Sequence, residues 1–337
     1  MDPLVLLTVV TIVVALGFAY TNGFHDASTA VATSVATRAL TPRIALAMAA
    51  VMNLVGAFLG QGVAATVASV VVPPDGEAGL RLLLAALLGA IAWNLLTWRA
   101  GLPSSSSYAL LGGLAGAALA AGATVRWDVV RETVLVAMVA SPLVGLLGAA
   151  GLMVALLWVF RNRPLHRTQR GFRVAQTVSA AAVALGHGLQ DAQKSAAVIV
   201  LAMLAGGYSM GTTEDSADLP VWVISLVALA LAAGTLSGGW RIMRTLGRRL
   251  VDLDPARGFA AETVAAGVLY TAGVAFDAPV STTHTLTAAV VGAGSTTRLS
   301  AVRWRLARRI LLAWVVTVPA AALGAAAMWC ALGLVLG

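Results

Sequence analysis

Two carboxylates, Asp26 and Asp191, lie inside otherwise apolar stretches of the chain. An acid within a membrane span is costly, so it normally faces a cavity and keeps a partner. Each closes the same short pattern, Asn22-Gly23-Phe24-His25-Asp26-Ala27 and His187-Gly188-Leu189-Gln190-Asp191-Ala192, 165 positions apart. If these segments are helical, Asn22 shares a face with Asp26, and His187 with Asp191, at i, i+4 spacing. Carboxylate with amide oxygen is hard-cation ligand chemistry, and Gly23 and Gly188 would let the backbone open or approach an ion. The bland alternative for one such acid is a span end reaching water; its repetition favours a site.

A second pair of runs suits an anion. Gly101-Leu102-Pro103-Ser104-Ser105-Ser106-Ser107-Tyr108 matches Asp277-Ala278-Pro279-Val280-Ser281-Thr282-Thr283-His284 at an offset of 176. Proline beside serine or threonine marks a helix start. A helix N-terminus offers unpaired N–H groups and a positive dipole end to an oxyanion. Ser105, Ser106, Ser107, Ser281, Thr282 and Thr283 add uncharged hydroxyl donors, so an anion could bind and still leave. Singly, these hydroxyls could equally bond helical carbonyls or let helices pack closely.

Lys194, the single lysine, could neutralise Asp191, contact an anion or snorkel to the interface. His25 is either a titrating proton relay or a neutral amide-like ligand. His284 either donates to substrate or satisfies a helix carbonyl. Glu262 opens a charge-poor segment, where a helix N-terminal acid is the plain explanation.

The elements that must position these residues are membrane helices. Of 337 residues, 59% are hydrophobic and 11% charged, too little charge to cover a soluble domain. Charge-free gaps of about 20 residues recur along the chain, as spanning helices require, and period-two alternation for a β-barrel is missing. Met1-Asp2-Pro3 has no basic leader, so the first apolar run is expected to be retained. Cys330 excludes an intramolecular disulfide and reads as a small buried hydrophobe. Three arginine-rich loops, Arg161–Arg173, Arg241–Arg257 and Arg298–Arg309, belong in the cytoplasm by the positive-inside rule. The acidic loops at Asp75 and Glu77, and at Glu214, Asp215 and Asp218, then lie outside, as do both termini.

Trp127 to Pro142 also matches Trp304 to Pro319, at an offset of 177. Three matches in one order make two related halves, 1–160 and 174–337, joined by the basic loop 161–173. Equivalent loops carry opposite charge, so the repeat is inverted, with an odd number of crossings per half. The expected fold is an all-α polytopic membrane protein of two inverted-topology repeats with broken or re-entrant helices. That architecture is typical of secondary transporters, with the site near the midplane.

The motifs together resemble the PiT family of inorganic phosphate transporters. The resemblance rests on both Asp patterns, on Gln193-Lys194 after the second, and on Pro279-Val280-Ser281-Thr282-Thr283-His284. It also rests on Gly234-Thr235 with Gly238-Gly239-Trp240-Arg241, and on Leu253-Asp254-Pro255. It covers nearly the whole chain and implies a cation-coupled phosphate symporter. It further implies that Asp26 and Asp191 bind the coupling cations and that the Ser/Thr runs line the phosphate site. The chain departs from the common pattern at His25 and Gln190, where asparagine is usual, at Thr29, and at Tyr108, where histidine is usual. Losing amide ligands favours a proton over sodium.

The sequence thus points to a symporter importing phosphate, free or as a divalent-metal complex, through the inner membrane, with H+ or Na+ as coupling cation. No cofactor, nucleic acid or resident metal is expected; the partners are lipid and, by expectation, a second copy in a homodimer. Substrate falls to Ser105, Ser106, Ser107, Ser281, Thr282, Thr283, Gln193, Lys194 and His284. Coupling falls to Asn22, His25, Asp26, His187, Gln190 and Asp191. A sulfate transporter is the nearest alternative. A channel is another. An intramembrane enzyme is disfavoured because no His-Glu-x-x-His motif or Cys-His pair occurs in the spans.

Overall fold

The computed structural model describes residues 2–208 and 219–336. The acids Glu214, Asp215 and Asp218 lie outside the described residues. The first half comprises α1 (Pro3–Ala36), α2 (Pro42–Gly56), α3 (Gly62–Ala68), β1 (Val71–Val72), α4 (Glu77–Ala100), α5 (Ser106–Ala121), β2 (Thr124–Val125), α6 (Trp127–Val129) and α7 (Val136–Val159). The second comprises α8 (Leu165–Ala205), α9 (Val221–Ser237), α10 (Trp240–Arg244), α11 (Pro255–Tyr270), α12 (Thr282–Ser295) and α13 (Trp304–Leu336). A π-helical turn, Val130–Leu135, joins α6 to α7, and another, Thr271–Ala275, follows α11.

The protein is an all-α, multi-pass membrane protein. Among the described residues, five helices are long and apolar enough to cross a membrane, and a sixth span is formed if the bent pair Val221–Ser237 and Trp240–Gly247, kinked by 55°, counts as one. α1 begins where expected, with Pro3 in its first turn and the Asp2 side chain accepting from the Leu4 N–H at 3.0 Å. α5 and α12 have 16 and 14 residues. At 1.5 Å per residue both fall short of the roughly 30 Å hydrocarbon core.

Several expectations are corrected. Charge-free gaps imply a break between spans at Asp191 and Lys194, but one helix of 41 residues, α8, runs through both. The two opposite charges pair at i, i+3 and so do not break it. Likewise α1 continues past Asp26 to Ala36. Gly23 and Gly188 therefore do not open the backbone. They bring helices together: a Cβ at Gly23 would meet the Leu231 carbonyl of α9, and one at Gly188 the Asn53 carbonyl of α2. Such small-residue crossings are how membrane helices approach. Cys330 is exposed on α13 rather than buried, because its helix face turns outward where lipid, not protein, would cover it. Glu262 does not open a helix: α11 starts at Pro255, and Glu262 is fully buried within it.

Two apolar clusters fill the interior. One takes Ala15, Phe18 and Ala19 from α1 and Ala192, Ala196 and Ala197 from α8. The other takes Ala30, Val31 and Ala32 from α1 and Val183 and Ala184 from α8. Between them on both helices lie Asn22–Asp26 and His187–Asp191. The apolar cores thus leave one polar layer, and the site occupies it.

Candidate functional site

The start of α5 and the start of α12 deliver hydroxyls to the polar layer. Ser105 and Ser281 are the N-caps: each side-chain oxygen accepts at 3.2 Å, from the N–H of Tyr108 and of His284. Capping commits these two hydroxyl oxygens and fixes the direction of the next residues. Matching backbone precedes them, since Gly101 and Asp277 both adopt left-handed φ, at 66° and 48°.

The following hydroxyls reach the two acids. Ser106 donates to Asp26 Oδ2 at 2.5 Å, and Thr283 donates to Asp26 Oδ1 at 2.8 Å. Ser107 Oγ lies 3.5 Å from Asp191 Oδ1 and accepts from Lys194 Nζ at 2.6 Å. Ser107 and Thr283 are equivalent in the repeated run, and each approaches the acid of the other half. Thr29 and Lys194 are likewise equivalent by the 165-residue offset: Thr29 Oγ1 lies 3.5 Å from Thr283 Oγ1, as Lys194 Nζ lies against Ser107.

Each acid also has a histidine. His25 Nδ1 sits 2.7 Å from Asp26 Oδ1, and His187 Nε2 sits 2.9 Å from Asp191 Oδ2. One ligand atom from each of Asp26, His187 and Asp191 lies within 4.8 Å of the others, so the two acids meet at one place. These three residues could hold a small cation.

Neighbouring groups assign the His187 tautomer. Thr235 donates to the Leu231 carbonyl at 2.8 Å, so its oxygen accepts from Asn53 Nδ2, also at 2.8 Å. Asn53 Oδ1 then accepts from His187 Nδ1–H at 3.0 Å. With Nδ1 committed as donor, neutral His187 turns a bare Nε2 lone pair toward Asp191. A bond between Nε2 and Oδ2 therefore needs a proton, and without one the two atoms are ready ligands for a cation.

Lys194 is buried, not snorkelling. Its three ammonium hydrogens match three acceptors: Asp191 Oδ1 at 2.8 Å, Ser107 Oγ at 2.6 Å and the Val280 carbonyl at 2.7 Å. It neutralises Asp191 and ties α8 to the turn before α12. Two carboxylates against one ammonium leave the cluster short of positive charge, which a bound cation or proton restores.

The other expected residues divide. Gln190 faces the backbone around α12: Oε1 accepts from Val280 N at 3.2 Å, and Nε2 donates to the Leu269 and Ala278 carbonyls, both at 3.3 Å. Gln193 turns to α3, where it accepts from Ala64 N at 3.3 Å. His284 packs between Tyr108 and Trp314, stacked on the latter with centroids 4.0 Å apart. Asn22 Oδ1, Thr282 Oγ1, Gln193 Nε2 and His284 Nε2 are buried without a hydrogen-bond partner. Buried polar atoms normally have one, so these are atoms a substrate or ion could use.

Sequence reasoning missed several members. Thr97 Oγ1 and Ser104 Oγ lie 3.3 and 3.4 Å from His25 Nε2. Asn53 orients His187, and its signal was an amide alone in an apolar stretch. Glu262 gathers Thr33, Ser179 at 2.5 Å and Gln176 at 3.2 Å, all on α1 and α8. Its signal was an acid in a charge-poor span, misread for want of the helix boundary.

Comparison with known proteins gives a consistent result. Residues 22–325 match the phosphate transporter family. A protein of Mycobacterium tuberculosis (strain ATCC 25618 / H37Rv) is 45% identical over 94% of this chain and 75% of its own length. One of Rhizobium meliloti is 43% identical over 96% of both chains. One of Bacillus subtilis is 39% identical over 97% of this chain and 98% of its own. All three are described as "Probable low-affinity inorganic phosphate transporter". A solved structure, "The sodium-dependent phosphate transporter", superposes with a TM-score of 0.85 over 97% of this chain and 99% of that one, at 22% identity. That likeness establishes the fold.

Proposed function

We propose that this chain, which belongs to the phosphate transporter family, is a secondary active symporter carrying inorganic phosphate inward across the cytoplasmic membrane. The observation that carries the reading is the convergence of Asp26, His187 and Asp191 beneath two hydroxyl-bearing helix starts. The acids supply the cation site and the hydroxyls the oxyanion site, so each ion offsets the charge of the other. Mutual stabilisation of co-bound ions is the coupling free energy.

The coupling cation in this reading is a proton. Two histidine–aspartate contacts, with His187 Nδ1 committed elsewhere, favour protons held at nitrogen–oxygen pairs over a metal bound in an all-oxygen shell. The sodium dependence in the structural neighbour's name belongs to that protein.

The halves are read as inverted repeats, 1–160 and 174–337. Supporting this, the α1–α9 and α8–α2 crossings both use the repeat glycines. β1 pairs with β2 through Val71 and Val125, and Val251 bridges Val302 at the corresponding loops. The arginine-rich loops set the cytoplasmic face, with both termini outside.

The test is uptake of labelled phosphate by purified protein in liposomes, with a pH gradient or a sodium gradient imposed separately. Concentrative uptake driven by an inward proton gradient without sodium is expected. An absolute sodium requirement would overturn proton coupling, and flux without accumulation would make the protein a channel. Displacement by excess sulfate would favour the alternative tetrahedral anion.

A further inference from the structure

Along one face, α13 changes from basic to apolar. Arg305, Arg309, Leu312 and Val316 are spaced i, i+4, i+7 and i+11, so they line up on one side of the helix. Arg305 and Arg309 join Arg249 and Arg303 around a cavity of about 320 Å³. Arg309 also lines an adjoining groove of about 320 Å³, where Leu312 and Val316 face Trp93 and Leu96 of α4. All four arginines are exposed, and among them Arg303 pairs with an acid, Asp252, at 3.4 Å.

A basic mouth opening into an apolar intramembrane groove has the chemistry of a phospholipid site. The positive charge of arginine attracts phosphate oxygens, and basic pockets between spans on the cytoplasmic side take anionic headgroups. Free phosphate shares the headgroup chemistry, but it has no use for the groove that continues from Arg309. The repeat supplies an internal contrast. By the 177-residue offset Arg309 aligns with Glu132, which lines a groove of about 620 Å³ beside α7 and α11. That groove has an acid where an anionic headgroup would sit.

We propose that the α4–α13 groove binds an anionic phospholipid of the cytoplasmic leaflet, with its phosphate against Arg249, Arg305 and Arg309 and an acyl chain between Trp93 and Val316. Thr97 also lines the groove, and its hydroxyl is 3.3 Å from His25 Nε2. The lipid would therefore lie one side chain from the buried cluster.

The test uses the full chain in phosphatidylcholine vesicles to which brominated phosphatidylglycerol or brominated phosphatidylcholine is added. Bromine on the acyl chain quenches tryptophan fluorescence, and a Trp93→Phe variant isolates the contribution from the groove. Trp93-dependent quenching should appear at a lower mole fraction of the brominated phosphatidylglycerol. Arg309→Gln should reduce that preference about fivefold, while Arg309→Lys, which keeps the charge, should retain most of it. Equal quenching by both lipids overturns the proposal, as does an undiminished preference in Arg309→Gln or its loss in Arg309→Lys. Abolition of the preference by inorganic phosphate at constant ionic strength would assign the arginines to the free anion and also overturn it.

Discussion

Asn53 Oδ1 and His187 Nδ1 lie 3.0 Å apart, and this contact decides which ring nitrogen of His187 faces Asp191. Replacing Asn53 with leucine removes the acceptor, frees His187 to take the other tautomer and leaves the Thr235 hydroxyl oxygen without its donor. The lost buried hydrogen bond is worth about 1–3 kcal/mol. Phosphate uptake should fall roughly tenfold, with a changed pH profile if the proposed proton coupling holds, in liposome assays. An unchanged profile would remove Asn53 from the mechanism.

Asp26→Asn and Asp191→Asn should each abolish concentrative uptake while the proteins still reach the membrane. The amide is close in size but cannot carry the charge that a coupling cation offsets. Wild-type transport by either variant would refute the assigned roles.

Lys194→Met should destabilise the fold by about 3–5 kcal/mol, because it removes the buried ammonium that offsets the Asp191 carboxylate. Adding Asp191→Asn should restore much of the melting temperature in detergent yet leave uptake absent. If the single variant melts like the wild type, the Lys194 ammonium is not what holds α8 to the turn before α12.

Glu262→Gln should cost about 1–3 kcal/mol in thermal unfolding. The carboxylate receives donors from Thr33, Ser179 and Gln176, and an amide NH2 would oppose one of them. Thr33 and Gln176 share one carboxylate oxygen and Ser179 holds the other, so the NH2 would face Ser179, and combining the change with Ser179→Ala should recover part of the loss. No recovery would mean that the Ser179 hydroxyl is not the opposing group.

Gly188→Val should separate α8 from α2, since any Cβ there meets the Asn53 backbone. Overpacking of this kind costs about 1–3 kcal/mol. Because it displaces Asn53, it should also lower uptake more than Gly151→Val, where nothing lies near the added carbon. Equal effects of the two substitutions would show that the crossing does not transmit to the site.

The sequence by itself determined the class and the ingredients. Low charge and recurring apolar gaps required membrane helices, and the two Asp patterns and two Pro-Ser/Thr runs marked the chemistry. These features are local or periodic, so spacing alone exposes them. The helix starts at Ser105 and Ser281 were readable for the same reason, since capping is settled within three residues.

Tertiary structure decided which ingredients meet. Thr283 finds Asp26 across 257 positions, and Ser107 approaches Asp191 across 84; no spacing rule links such residues. The continuity of α8 through Asp191 and Lys194 was hidden because two charges read as a break until they are seen to pair. Glu262 was misread because its role depends on α1 and α8 packing over it, and Cys330 because its helix face turns outward. Contacts between helices depend on crossing geometry, which close glycine approaches such as Gly188 on Asn53 set. Composition and periodicity do not record that geometry.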